Sequence, residues 1–141
     1  MPLDVMVGCT GVPLLGALFL MDAGDLRRVS PTGTVTTIVT GLTGRGRPAS
    51  EVGRLNYHMG RWTDGERRVY IAAAAERLVL RVDGGTVSIV AQSAAPWAPS
   101  GGMIDRDRAL WILEYDTSNA VRVRRIDRAG QERISIPAVS R

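Results

Sequence analysis

Lysine is absent from this chain: all 18 basic residues are arginine. Arginine is a planar, bidentate donor suited to carboxylates, phosphates and aromatic faces. With a net charge of +4, the composition admits nucleic acid or another anionic polymer as a partner. The simpler reading places most of these arginines on solvated strand faces. Histidine occurs once, as His58, which excludes a hydrolase that draws several metal-binding histidines from one chain. His58 alone could serve as an acid or base, but beside Tyr57 and Met59 it reads as a packed or edge residue. Cysteine also occurs once, as Cys9, so no intrachain disulfide can form. Aromatic residues make up 5%. No Gly-x-Ser-x-Gly elbow is present. The Gly-rich stretch Gly41–Gly46 lacks the lysine and following helix of a phosphate loop. The apolar stretch from Val5 to Met21 is broken by Gly8, Gly11, Pro13 and Gly16, and Asp4 stands where a signal peptide carries positive charge. No targeting or membrane segment is expected from it. No apolar pattern of period 3.6 lasts beyond two turns, which leaves little room for helix.

What is present is a pattern that occurs three times. Leu18-Phe19-Leu20, Val69-Tyr70-Ile71 and Leu110-Trp111-Ile112 each open an apolar run. An arginine-containing strand follows each: Leu26–Val29, Leu78–Asp83 and Val121–Asp127. Gly33, Gly85 and Gly130 mark the next turn, 52 and 45 residues apart. A period of this length with several strands per unit predicts β-propeller blades. At 141 residues the chain has the length of about one domain.

Three units are expected within a single propeller-like domain over 1–141, with boundaries at about 1–42, 43–93 and 94–141. The first contains Val5–Cys9 or Val12–Leu15, then Ala17–Met21, Leu26–Val29 and Thr34–Val39. The second contains Tyr57–Trp62, Arg68–Ala73, Arg77–Val82 and Thr86–Ala91. The third contains Gly102–Asp105, Ala109–Tyr115, Val121–Ile126 and Glu132–Ile136. Asp-Gly at Asp64-Gly65 is a strong hairpin signal. The stretches Gly41–Asn56 and Gln92–Gly101 read as connectors between blades. In a propeller such connectors share a face with the loops between second and third strands, which would gather Arg45, Arg47, Arg54, Asn56, Trp97, Glu114, Tyr115, Asp116 and Asn119. Loops held on a rigid scaffold are where function is commonly carried.

The segment Arg47-Pro48-Ala49-Ser50-Glu51-Val52-Gly53-Arg54-Leu55-Asn56-Tyr57 resembles the lead-in of an NHL-type repeat, and Val69-Tyr70-Ile71-Ala72 with Arg77–Val87 continues the likeness. Pro99-Ser100-Gly101-Gly102-Met103-Ile104-Asp105 is similar to that family's Pro-x-Gly-hydrophobic-x-Asp opening. The likeness extends over most of residues 17–136, with Ala72-Ala73-Ala74 departing where the family has a polar turn. It implies an all-β fold of about three four-stranded blades, half of a six-bladed ring. It further implies that a second copy or further blades complete that ring.

For function, the resemblance implies first a non-catalytic binding, scaffold or sensor module for a protein, peptide or glycan. Its ligand residues would be Arg45, Arg47, Arg54, Asn56, Trp97, Tyr115 and Asn119. No catalytic residue and no cofactor is assigned on that reading. The related gluconolactonase-like propellers imply an alternative, a metal-dependent hydrolase completed by further blades. Glu114 and Asp116, with Asn119, Asn56 and Asp22, would then offer oxygens to a divalent cation such as calcium. Set beside this, Glu114–Asn119 reads as a polar hairpin turn. A third reading is RNA or anion binding through Arg45, Arg47, Arg54 and the Arg122/Arg124/Arg125 group, with Trp97 and Tyr115 for stacking. Strand alternation puts Arg122 and Arg124 on one face and Arg125 on the other, which shrinks that patch. Trp62 and Trp111 are expected in the blade core, and Trp97, between two prolines, at the surface.

Overall fold

The computed structural model describes residues 11–14, 17–22, 24–42 and 60–137. Among them there is no helix and none that could cross a membrane. The described residues form twelve strands in three four-stranded antiparallel sheets. The first blade is β1 (Gly11–Leu14), β2 (Ala17–Asp22), β3 (Asp25–Val29) and β4 (Val35–Val39). The second is β5 (Arg61–Thr63), β6 (Val69–Ala73), β7 (Leu78–Asp83) and β8 (Thr86–Gln92). The third is β9 (Ala98–Ile104), β10 (Leu110–Tyr115), β11 (Val121–Ile126) and β12 (Glu132–Ser135). Each sheet runs in sequence order. Neighbouring blades approach through β1, β5 and β9, the arrangement of inner strands in a propeller.

A single turn chemistry builds most of the hairpins. At Ser30, Asp64, Asp105, Asp116 and Asp127 the backbone N–H donates to the carbonyl four residues on. The four aspartates use Oδ1 to accept backbone N–H groups two and four residues on, and the Ser30 hydroxyl accepts the N–H of Thr34. Short oxygen-bearing side chains satisfy turn amides in this way. The residue three beyond each anchor lies in the left-handed region: Gly33 and Gly130, but also Arg67, Arg108 and Asn119.

Strand alternation then assigns each side chain to one of two faces. Between the first and second blades, Phe19 and Leu26 pack with Val69, Ile71, Ala73, Leu80 and Val82. Between the second and third, Trp62, Tyr70, Ala72 and Val79 pack with Leu110 and Ile112. The middle blade is therefore covered on both faces, and every residue of β6 is buried.

Three sequence expectations change. The opening strand of the third blade begins at Ala98, not Gly102, because Pro99, Gly101 and Gly102 are strand residues rather than connector. Glu114 belongs to β10 and is fully buried, not part of a polar turn. Trp111 is half-exposed, since its place in β10 alternates with buried Leu110 and Ile112. Trp62 is in the core as expected, stacked on Tyr70 at 5.8 Å. The ambiguous first strand is Gly11–Leu14. Val5–Cys9 and Tyr57–Met59 lie outside the described residues.

Candidate functional site

The connector Ser93–Trp97 and the turn Asp116–Ala120 meet at one end of the third blade, where Tyr115 pairs with Ala98. Trp97 is the last residue of the connector, and its N–H donates to the carbonyl of Ala94. The Arg122 guanidinium lies 4.4 Å from the centroid of the Trp97 ring, an attractive arrangement of cation over π face. Nε of Arg122 also donates to Glu114 Oε1 at 3.3 Å. Trp97 is half-exposed while the Arg122 side chain is 14% exposed, so the tryptophan offers an aromatic surface backed by a mostly covered guanidinium and a buried carboxylate.

That carboxylate is the centre of a polar cluster. Arg122 and Arg124 sit two apart on β11 and point to the same side as Glu114, whose partner across the ladder is Arg122. Arg124 Nε lies 3.0 Å from Glu114 Oε1, an ion-pair contact without hydrogen-bond alignment. Arg124 further donates to Glu132 at 3.0 Å and reaches the Ser93 hydroxyl at 3.5 Å. Arg125 points the other way, over Trp111 and toward Asp105. Two guanidiniums thus compensate one buried carboxylate, and that surrounding does not suit Glu114 as a ligand of a divalent cation. Among the described residues no group of three or more His, Cys, Asp or Glu side chains is arranged to hold a metal.

Asp116 turns inward on its own loop. Its Oδ1 accepts from the Ser118 hydroxyl and from the amides of Ser118 and Ala120. The Ser118 hydrogen bond, with those amides, holds its pKa below the usual carboxylate range. Asn119 takes the left-handed position of the same turn, φ 63°, a conformation asparagine tolerates well. Asp22 pairs with Arg27 at 2.8 Å on the first blade.

Of the residues singled out in the sequence, Trp97, Glu114, Tyr115, Asp116 and Asn119 come together at this end. Arg45, Arg47, Arg54, Asn56 and His58 lie outside the described residues. Sequence reasoning missed Arg122 as the partner of Trp97 and missed the Ser93–Arg124 contact between blades. The signal for Arg122 was its strand parity with Glu114; Ser93 carried none.

At the opposite end, between the second and third blades, a cleft of about 430 Å³ is lined by Asp64, Glu66, Arg68, Asp105, Arg106 and Arg108 among others. Its charges are largely spent on each other: Arg68 bonds Asp64 at 2.6 Å and Glu66 at 3.0 Å, and Arg108 reaches Glu66 at 2.6 Å. Asp64 also accepts from the Tyr70 hydroxyl at 3.0 Å. Burial pushes the Asp64 carboxyl up, but Arg68, two backbone amides and Tyr70 together hold it below its ordinary value.

No protein-family model matches the sequence, and no curated protein matches it. Solved structures do. Virginiamycin B lyase from Staphylococcus aureus superposes with a TM-score of 0.62 at 10% identity, over 89% of this chain and 39% of that one. A streptogramin B lyase gives a TM-score of 0.53 at 13% identity, over 89% of this chain and 53% of that one. The S. aureus enzyme in a catalytically inactive form with quinupristin gives 0.51 at 12% identity. These neighbours are β-propellers, and the likeness is one of fold. The chain spans between 39% and 53% of their lengths. Its three blades are a segment of a β-propeller.

Proposed function

We propose that the chain is a non-catalytic recognition module of NHL-like propeller type, half of a six-bladed ring, which takes a protein, peptide or glycan ligand. The observation that carries this reading is the Trp97–Arg122 surface. A half-exposed tryptophan is held beneath a guanidinium at 4.4 Å instead of being buried as Trp62 is. Tryptophan and arginine are the residues most enriched among binding hot spots. Tyr115 and Asn119 stand at the same end, and Arg45, Arg47, Arg54 and Asn56 are assigned there from the sequence. The arrangement favours binding over hydrolysis, because Glu114 is committed to Arg122 and Arg124. It also weakens the nucleic-acid reading, because those two arginines are already paired.

The test is a binding screen of the whole chain against acidic peptides and against sulfated and neutral glycans, repeated with two variants. Trp97→Ala is expected to weaken the selected ligand about tenfold or more, and Arg106→Ala, at the opposite end, less than about twofold. Undiminished binding by Trp97→Ala overturns this placement of the site. Lactone hydrolysis that depends on added calcium would assign the hydrolase reading instead. Retention of single-stranded RNA with a steep salt dependence would assign the nucleic-acid one.

A further inference from the structure

The two outer faces of this segment are the two halves of a contact that already exists inside it. The register makes the comparison position by position. Asp64 and Asp105 anchor equivalent turns, and Trp62 pairs with Tyr70 as Met103 pairs with Trp111. Met103, Trp111, Leu113 and Val123 of the third blade therefore occupy the positions of Trp62, Tyr70, Ala72 and Val79 of the second. In the second blade that set is covered by the third: Trp62 is 7% exposed and Ala72 0%. In the third blade the same positions face outward, with Met103 54% and Leu113 45% exposed. The apolar surface is continuous, formed by Met103, Trp111, Leu113 and Val123 with Gly101.

Glycine extends the equivalence. Gly60 must lack a side chain because its Cβ would stand 2.7 Å from the Ser100 carbonyl and 2.8 Å from Gly101 Cα. Its counterpart in the third blade is Gly101, where a Cβ would meet nothing within 4 Å. The third blade thus repeats a glycine whose purpose in the second is to admit the inner strand of another blade.

The first blade presents the complement. Ser30 and Asp127 anchor equivalent turns, so Leu18, Leu20 and Val29 occupy the positions of Leu110, Ile112 and Ile126. The Asp22–Arg27 pair, at 2.8 Å, occupies the positions of Glu114 and Arg124. Gly11 pairs with Leu20 as Gly102 pairs with Ile112, and Gly102 is the seat on which the Trp62 ring rests.

The geometry points to a second copy of this chain as the occupant of the third blade's outer face, seated through its first blade, so that two copies close one ring head to tail. This rests on the half-ring reading above but not on its ligand. Such contacts join unlike surfaces of identical chains and close when the rotation allows.

Light scattering and analytical ultracentrifugation of the whole chain test it. Twice the chain mass of 15.2 kDa is expected. Leu113→Asp and Met103→Glu alter exposed side chains and should give folded monomers. Leu20→Asp on the first blade should do the same, with Val35→Asp, 57% exposed, as a companion that leaves folding intact. Mixing Leu113→Asp with Leu20→Asp should restore a dimer through the one intact contact, which pairing of like faces could not do. A compact wild-type monomer, or a dimer broken only by the third-blade variants and not rescued by mixing, overturns the proposal. Ligand binding by such a monomer would leave the recognition reading standing; a dimer without ligand binding would do the reverse.

Discussion

The two contacts between blades solve one problem with different chemistry. Between the first and second blades the described core is an apolar cluster: Phe19, Leu26 and Leu42 meet Val69, Ile71, Ala73, Leu80 and Val82. Between the second and third, an aromatic stack rests on a glycine, Tyr70 bonds Asp64, and a buried carboxylate meets Arg124. The positions correspond. Ala73 and Leu80 in the second blade stand where Glu114 and Arg124 stand in the third. A blade face therefore fixes shape and parity more tightly than polarity. An apolar pair is held by area removed from water; an ion pair at the same place must be compensated group by group.

The aromatic contact depends most on a single atom count. At Gly102 an added Cβ would clash with the Trp111 carbonyl and stand 2.7 Å from the Trp62 ring. Backbone lies on one side and a stacked ring on the other, so neither yields cheaply. Gly102→Ala should cost roughly 3 kcal/mol, the upper end for overpacking, read from denaturant unfolding. Gly101→Ala should be near neutral in a monomer, since a Cβ there meets nothing within 4 Å. Equal costs at the two glycines would remove the distinction between the covered and uncovered faces.

The buried charges are the next lever. Glu114→Ala leaves Arg122 and Arg124 facing each other with side chains 14% and 7% exposed. A loss of roughly 2–3 kcal/mol follows, below the full cost of orphaning a buried charge because Arg124 keeps Glu132. The double variant Glu114→Ala with Arg124→Leu copies the Ala73/Leu80 solution and should recover most of that loss. If the double variant is less stable than the single one, the two contacts are not interchangeable and the comparison fails.

Much of this was legible beforehand, for identifiable reasons. The Asp64-Gly65 step and the turn glycines Gly33, Gly85 and Gly130 announced hairpins and with them the blades, whereas Asp127, read as the end of a strand, anchors the turn that follows it. The alternation Leu110, Ile112, Glu114 also announced that Glu114 shares a face with core residues, yet its charge suggested a turn. Charge is a poor guide where a strand face supplies its own counter-ions, as Arg122 and Arg124 do. Pro99, Gly101 and Gly102 suggested a connector because proline and glycine usually punctuate. Here the glycines serve close approach of neighbouring backbones and side chains, a tertiary requirement no local window contains. Of the candidate site, Trp97 was legible from its flanking prolines; its hold by Arg122 needed the register.

The smallest expected effect separates the two contacts by pH. The buried cluster described between the first and second blades is built of apolar side chains. Between the second and third, Asp64 and Asp105 sit below their ordinary pKa: Asp64 because Arg68, backbone amides and Tyr70 outweigh its burial, Asp105 first through the Trp111 indole N–H. A carboxyl depressed in the folded state takes up its proton more readily once unfolded. Its contribution is then complete above about pH 5 and is lost as pH falls through about 4 toward the folded value. Acid should therefore loosen the contact between the second and third blades first. Amide hydrogen exchange at pH 4 against pH 7 should quicken in β9 and β10 while β2 and β3 keep their protection. Asp64→Asn should cost roughly 1–2 kcal/mol at neutral pH, and that cost should shrink as pH falls below about 4, where the unfolded carboxyl takes up its proton before the folded one does. Uniform quickening across all three blades would mean that they open as one unit and that the chemistry of each contact is invisible to acid.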